Sequence, residues 1–155
     1  MIAILHNVRS LHNVGSIFRT ADAAGIKKIY LVGITPSPKD RLGAYRSQFS
    51  KVSLGAEKYI EWGKFSDASR LINNLKKEGY KIFAVEQSKK SKPYFSAKIK
   101  NLDKVALVVG NEVKGLPPSL LKKSDKILEI PMRGEKESLN VAVAFGIVVF
   151  ALINK

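Results

Sequence analysis

The chain contains no cysteine among its 155 residues and only two histidines, His6 and His12. The absence of cysteine excludes disulfides, thiolate nucleophiles, and the zinc sites and iron–sulfur clusters that depend on cysteine ligands. Two histidines are too few for a dedicated metal site, so we expect no bound metal. A lack of cysteine is also typical of a cytoplasmic protein, which is the location that we expect.

Long hydrophobic runs are lacking as well. The longest apolar stretch covers residues 141–153, whereas a membrane-spanning helix needs about 20 residues. No charged region precedes the apolar residues at the N-terminus (MIAILHNVRS), which argues against a secretory signal. We therefore expect a protein without a membrane association. A length of 155 residues corresponds to one domain, so residues 1–155 are predicted to form a single domain.

Acidic residues are scarce relative to basic ones, with 13 Asp and Glu against 27 Lys and Arg and a net charge of +14. The excess is uneven, since it is +12 over residues 1–100 and only +2 over residues 101–155. Like charges repel each other and destabilise a compact state. An excess of this size therefore predicts a polyanionic partner, with nucleic acid the leading candidate.

Short apolar runs alternate with helical patterns along the chain. Strands are predicted at residues 2–6, 28–32, 59–62, 80–85, 104–109 and 127–131. Helices are predicted from Asn13 to Gly25, from Ser66 to Gly79, and at residues 117–123 and 139–153, whereas residues 34–58 and 88–93 are predicted to be irregular. The alternation predicts an α/β fold with a mostly parallel sheet flanked by helices.

The first loop with candidate functional residues is NVGSIFRTADAAG at residues 13–25. Asn13 is predicted at a helix N-terminus, where free N–H groups attract anions. Gly15 allows a ligand to approach the backbone closely. Arg19 lies off the apolar stripe of the helix, so it is either an exposed, solvated arginine or a functional one.

The second loop is VVGNEVKGLPPSLL at residues 108–121. Gly110 and Gly115 have the spacing of a phosphate-binding loop, but Leu116 and Pro117 follow where that loop needs Lys and Ser or Thr. An NTPase is therefore excluded, and the absence of any G-x-G-x-x-G motif argues against a dinucleotide-binding enzyme. Glu112 projects from a loop that follows a strand, where α/β sheets bind ligands.

The third loop is IPMRGEKESLNVAVAFG at residues 130–146. Ser138 is predicted to cap the last helix, with Asn140 in its first turn. That helix is apolar on every side, which a chain of this size rarely buries completely. The pattern therefore favours a packed partner subunit.

Together these motifs resemble the SpoU (TrmH-type) family of the SPOUT methyltransferase superfamily. The resemblance rests on NVGSIFRTA, LVVGNEVKGL and EIPMRGEKESLNVAVA, which follow each other in the family's order and cover the whole chain. It implies S-adenosylmethionine as cofactor and methylation of a ribose 2′-hydroxyl of RNA. It also implies a Rossmann-like fold with a C-terminal trefoil knot, and a homodimer.

The resemblance also implies roles for individual residues. The expected catalytic residues are Arg19, Asn13, Glu112, Ser138 and Asn140. The expected cofactor-binding residues are Val85, Gly110, Ile130, Met132, Ser138 and Leu139. We expect Ser138 and Asn140 to orient the ribose and Glu112 to fix the guanidinium of Arg19. The segment EQSKKSKPYF after Val85 departs from the small or glycine-rich character expected of the first cofactor loop.

Phosphate contacts with RNA are expected from the basic part of the chain. The candidates are Arg9, Arg41, Arg46, Lys89, Lys90 and Lys92. Transfer RNA is favoured over ribosomal RNA, because a basic catalytic domain suits a compact folded substrate. The alternative hypothesis is a non-catalytic RNA-binding protein with the same fold, which would not bind S-adenosylmethionine.

Overall fold

The computed structural model describes residues 1–155 and has a seven-stranded sheet in which all paired strands are parallel. The strands are β1 (Ile2–His6), β2 (Lys28–Val32), β3 (Glu61–Phe65), β4 (Lys81–Val85), β5 (Lys92–Pro93), β6 (Val105–Val109) and β7 (Lys126–Glu129). The helices are α1 (Leu11–Ala23), α2 (Ser47–Ser53), α3 (Ala68–Lys77), α4 (Pro118–Lys123) and α5 (Val141–Ile153). The predicted α/β fold with a parallel sheet is confirmed, while the trefoil knot stays a prediction.

The order of the strands across the sheet is β3-β2-β1-β6-β4-β7-β5. The chain proceeds outward from β1 to β2 and β3, and then crosses to β4 on the other side of the central strands. Parallel α/β sheets bind ligands outside the carboxyl ends of the strands at the point where this progression reverses. In this chain, that point lies at the carboxyl ends of β1 and β6, which lead into α1 with the first motif and into the loop with the second motif.

Helices bury both faces of the sheet. Ala3 and Leu5 of β1 belong to the larger core cluster, together with residues of α1 and α5. Ile2 and Ile4, which alternate with them, belong to a second cluster with residues of α3 and α4. The central strand β6 is buried at every position, as is typical of a parallel strand with both faces covered.

Three helices, α1, α3 and α5, have caps other than those predicted. Ser10 caps α1 instead of Asn13, because the Ser10 hydroxyl accepts a hydrogen bond from the Asn13 N–H at 3.2 Å. Similarly, α3 is capped by Asp67 instead of Ser66, since the Asp67 carboxylate accepts a hydrogen bond from the N–H three residues later at 3.0 Å. Asn13 thus lies inside the first helical turn, where its side chain is available for other contacts.

The last helix begins at Val141, two residues later than predicted. Asn140 is its cap instead of Ser138, because the Asn140 side-chain oxygen accepts a hydrogen bond from the Ala142 N–H at 2.8 Å. Ser138 and Leu139 therefore belong to the preceding loop.

Two segments predicted to be irregular contain regular structure. Residues 34–58 include α2, whose buried Phe49 packs edge-to-face on Phe18 of α1 with ring centroids 5.2 Å apart. Residues 88–93 end in β5, which pairs with β7 at the sheet edge. In both cases tertiary contacts stabilise an element too short to show a sequence pattern.

Helix α5 is buried on one side only. Its inward-facing residues are Phe145, Val148, Val149 and Leu152. On the other side, Val143 and Phe150 are 50% and 40% exposed. No helix in the structure combines the length and the apolar character that crossing a membrane requires.

The position of Phe145 predicts the energetic importance of the α1–α5 packing. We expect Phe145→Ala to lower the free energy of unfolding by about 3–5 kcal/mol, because the ring is fully buried and its removal leaves a cavity. Urea denaturation measures this loss. The matched control Tyr59→Ala, at a ring that is 80% exposed, should change stability by no more than about 0.5 kcal/mol. Equal losses in the two variants would contradict the packing described here.

Candidate functional site

A hydrogen-bond network joins residues of the three motifs at the carboxyl ends of the central strands. Glu112, in the loop after β6, accepts hydrogen bonds from the backbone N–H groups of Arg9 and Ser10 at 2.9 and 3.0 Å. It also accepts one from the Asn13 side-chain amide at 3.0 Å. The Asn13 side-chain oxygen in turn accepts a hydrogen bond from the Asn140 amide at 3.0 Å. Three of the predicted catalytic residues are thus in direct contact, although they are far apart in the sequence.

The environment of Glu112 stabilises its charged form. Burial raises the pKa of this carboxyl group, but the hydrogen bonds from Arg9, Ser10 and Asn13 outweigh burial and hold the pKa below its ordinary value of 4.5. The carboxylate also lies at the N-terminus of α1, where the helix dipole favours a negative charge. Glu112 is therefore ionised at neutral pH and connects the loop after β6 to the start of α1.

Beside this network lies a cavity of about 360 Å³, a volume in the range of sites for small molecules. Its walls are formed by the ends of β4, β6 and β7, by the loops that follow them, and by the first turn of α5. All of the predicted cofactor-binding residues line it, namely Val85, Gly110, Ile130, Met132, Ser138 and Leu139. The structure thus places all of these residues in one cavity. Their role in binding the cofactor stays a prediction.

Gly110 allows two backbone segments of the cavity wall to approach closely. A Cβ atom at this position would lie 2.7 Å from the carbonyl carbon of Gly115 and 2.8 Å from the nitrogen of Leu116. These neighbours are backbone atoms, so no side-chain rotation relieves the clash. Only glycine therefore fits at position 110 without moving the loop.

The charged side chains that line the cavity are all glutamates. They are Glu86, Glu112, Glu129 and Glu137, with no lysine, arginine or histidine among the lining residues. This is the opposite of the whole chain, whose net charge is +14. The cavity therefore favours a ligand that carries positive charge and disfavours polyphosphates.

Sequence reasoning missed Glu86, which is held in the wall of the cavity. Its carboxylate accepts hydrogen bonds from the Leu116 N–H at 2.8 Å and from the Gln87 N–H at 2.9 Å. The Gln87 side chain donates to the backbone oxygen of Glu137 at 2.6 Å. These bonds tie the loop after β4 to the other two walls. The sequence offered one indication of a role for Glu86, because it is an acidic residue directly after a predicted strand in a basic chain.

Arg19 does not line this cavity. It lies exposed in a separate cleft between α1, α2 and α5, with His12, Lys51 and Phe150 among the lining residues. Within this chain Glu112 bonds to Arg9, Ser10 and Asn13, so the expected contact between Glu112 and the Arg19 guanidinium stays a prediction.

The predicted RNA contacts fall into two groups on opposite parts of the sheet. Arg9 follows β1, and Arg41 and Arg46 lie between β2 and α2. Lys89, Lys90 and Lys92 lie at the β5 edge. All of them are exposed, although the Arg46 Nε also donates hydrogen bonds to backbone oxygens of its own loop, at 3.2 and 3.3 Å.

Comparison with known families identifies the chain. The sequence model of the SpoU rRNA methylase family matches residues 1–150. The chain belongs to the SpoU rRNA methylase family. This result confirms the resemblance deduced from the three motifs, and the network and cavity are built from the motifs of this family.

Several relatives of this SpoU chain have been named or solved. It is 32% identical over 150 residues to the 23S rRNA (guanosine-2′-O-)-methyltransferase RlmB of Neisseria meningitidis, with 96% of the chain and 56% of that protein covered. It is 30% identical to the tRNA (guanosine(18)-2′-O)-methyltransferase of Aquifex aeolicus, with 97% and 67% covered. The crystal structure of an AdoMet-bound rRNA methyltransferase from Sinorhizobium meliloti superposes with a TM-score of 0.86 at 31% identity, covering 97% of the chain and 54% of that structure. The SpoU chain thus spans little more than half the length of several of its relatives.

The position of Glu112 predicts a pH-dependent contribution to stability. We expect Glu112→Gln to lower the free energy of unfolding by about 1 kcal/mol at neutral pH, because an amide has only one acceptor oxygen for the donors around it. Because the folded-state pKa lies below 4.5, this contribution is complete above that pH and is lost as the pH falls through the folded-state value.

Urea denaturation of the wild type and of Glu112→Gln across this pH range measures the difference. The two stability curves should converge in acid. A difference that persists unchanged at low pH would contradict the ionic role of Glu112.

Proposed function

We propose that the chain transfers a methyl group from S-adenosylmethionine to a ribose 2′-hydroxyl of RNA, with residues 1–155 working as one catalytic domain in the cytoplasm. The observation that carries this proposal is the acidic cavity at the carboxyl ends of the strands of a strongly basic protein. Opposite charges at two places on one molecule suit a cationic small molecule and a polyanionic substrate.

The residues that line the cavity fit S-adenosylmethionine. This molecule carries a positively charged sulfur and an ammonium group against a single carboxylate, so the glutamate-lined wall is complementary to its net charge. The close approach of backbone at Gly110 shapes one wall, and apolar residues such as Val109 and Leu139 can contact the rest of the ligand. The same wall repels the phosphates of NTP or a dinucleotide.

The names of the relatives support the same reaction. The Neisseria meningitidis and Aquifex aeolicus proteins are named as guanosine 2′-O-methyltransferases of 23S rRNA and of tRNA, respectively. The Sinorhizobium meliloti structure is described as AdoMet-bound. Because both RNA classes occur among relatives of similar identity, 32% and 30%, the relatives do not decide the substrate. We favour transfer RNA, since a basic catalytic domain suits a compact folded substrate.

The chain's own residues can position the ribose. When bound, S-adenosylmethionine would supply a methyl group on a positively charged sulfur: the methyl C–S bond would break as the new C–O bond forms, leaving a neutral thioether, and the proton of the ribose hydroxyl would pass to water. Ser138 and Asn140 at the cavity would hold the ribose by hydrogen bonds, so that its hydroxyl faces the methyl group. Asn13 and Glu112 fix the orientation of the Asn140 amide through the network.

Arg19 is suited to binding phosphate and stabilising negative charge. A guanidinium is effectively always protonated, so it is a poor general base. It binds phosphate oxygens bidentately and stabilises the charge that develops on the attacking oxygen. Because Arg19 lies outside the cavity of its own chain, we propose that it serves the cavity of a second copy.

A homodimer would also cover the apolar side of α5. Phe150, 40% exposed, lies in the cleft of Arg19, so one interface would bury this ring and place Arg19 next to the partner. In such a symmetric interface the same residues of both copies are buried, so each copy would offer its Arg19 to the other.

The first functional prediction concerns Arg19→Ala. We expect this variant to lose methyl transfer to RNA by about 10²–10³-fold, the effect of removing one group that stabilises transition-state charge. Calorimetry should show nearly unchanged binding of S-adenosylmethionine, because the proposed partners of Arg19 are a phosphate and the attacking oxygen of the RNA instead of the cofactor. Arg70→Ala, at an exposed arginine of α3, is the matched control. Full activity of Arg19→Ala would eliminate the proposed role.

The second prediction concerns sharing of the site between two copies. Arg19→Ala and Asn140→Ala should each be inactive alone, yet their equimolar mixture should recover about a quarter of the wild-type activity, since each mixed dimer has one intact site. A mixture as inactive as its components would show that Arg19 acts within its own chain or has no catalytic role.

Calorimetry also distinguishes the enzyme from a non-catalytic RNA-binding protein. Binding of S-adenosylmethionine to the wild type supports the enzyme. RNA binding without any cofactor binding would favour the non-catalytic alternative.

A further inference from the structure

A second concave surface, which shares Leu128 of β7 with the acidic cavity, is lined by lysines. This lysine groove has a volume of about 750 Å³. Its lysines come from four segments of the chain, and they are Lys89, Lys90, Lys92, Lys98, Lys122 and Lys126. Only the first three were among the contacts expected from the sequence.

The positive charge of the groove is not neutralised within the chain. None of its lysines takes part in an ion pair with a carboxylate. The one acidic residue in the lining is Asp125, whose carboxylate accepts a hydrogen bond from the Ile82 N–H at 2.8 Å and pairs with Lys76 and Lys81 at 3.6 and 3.8 Å. The groove therefore concentrates like charges that repel each other, at a cost in stability unless an anion binds there.

The groove is not built to hold a single small anion. The hydroxyls of Ser88, Ser96 and Ser124 all face it, but each takes part in a local hydrogen bond with backbone groups. Lys126 is held against the Phe83 ring, 5.1 Å from its centroid, and donates to a backbone oxygen. What remains for a ligand is a row of exposed, flexible ammonium groups. Such groups follow a chain of phosphates better than they enclose one phosphate.

The groove lies directly next to the acidic cavity. The loop between β4 and β5 lines both, since Glu86 and Gln87 face the cavity whereas Lys89 and Lys90 face the groove. Leu128 of β7 also contributes to both. The segment in which this sequence departs from the expected cofactor-loop pattern therefore forms the boundary between the two surfaces.

We propose that the lysine groove binds the phosphate backbone of the substrate RNA, away from the target nucleotide, and holds the RNA beside the acidic cavity. This inference rests on the proposed function, because it takes RNA as the substrate. It adds Lys98 and Lys122 to the expected contacts and assigns the departure after Val85 to RNA binding. Contacts of this kind depend on salt and carry no sequence information.

The test compares two double variants that remove equal charge. K90Q/K122Q lies in the groove and leaves the cavity lining untouched. K58Q/K77Q, at exposed lysines elsewhere, is the matched control. Binding of a fluorescein-labelled, unmodified transfer RNA transcript is measured by anisotropy between about 50 and 200 mM salt. The slope of log affinity against log salt is negative, and we expect its magnitude to decrease by about 1.4–1.8 in the groove variant, because each of the two lost phosphate contacts contributes about 0.7–0.9. In the control variant the slope should stay unchanged.

An unchanged slope in K90Q/K122Q, or an equal decrease of its magnitude in the control variant, would overturn the proposal. The occupant of the groove would then be another polyanion, such as an acidic protein segment. Calorimetry with S-adenosylmethionine distinguishes failure of the groove proposal from failure of the proposed enzymatic function. If the wild type binds the cofactor but the groove variant keeps its slope, only the groove proposal fails. If the slope falls while the wild type binds no cofactor, the groove proposal stands and the enzymatic function fails.

Discussion

The carboxylate of Glu112 holds together three segments that the sequence separates widely. It accepts hydrogen bonds from the start of α1, and through Asn13 it reaches Asn140, the cap of α5. The position of the last loop, and with it the wall of the cavity, depends on this network. Loss of one partner would leave charged or amide groups without hydrogen bonds at a part-buried position, which is costly. The network therefore couples the stability of the fold to the shape of the site.

The molecule has acidic and basic surfaces at different places. Carboxylates line the cavity at the carboxyl ends of the strands, whereas lysines line the neighbouring groove and arginines lie near β1 and β2. A uniformly basic surface would attract RNA but would also repel a cationic cofactor. The acidic and the basic surface are separated by a single loop, residues 86–91, so both ligands can lie close together. The net charge of the chain alone conveys none of this arrangement.

Local pattern predicted most of the fold, because buried parallel strands and amphipathic helices repeat at fixed spacings. It failed where a tertiary contact decides the outcome. Helix α2 depends on the packing of Phe49 on Phe18, and the caps at Ser10 and Asp67 depend on which oxygen reaches a free N–H. The motifs located the cavity residues, but not the role of Glu86 or the separation of Arg19 from the cavity. Those features depend on how distant segments pack.

The most direct test of the account is the chemical position of the transferred methyl group. Unmodified transfer RNA and ribosomal RNA transcripts are incubated with the protein and methyl-labelled S-adenosylmethionine, and are then hydrolysed in alkali. Alkaline cleavage needs a free 2′-hydroxyl, so a methylated ribose leaves an uncleaved dinucleotide. The label should appear in alkali-resistant dinucleotides. Label in mononucleotides, which indicates base methylation, or no label in either RNA would contradict the proposed reaction.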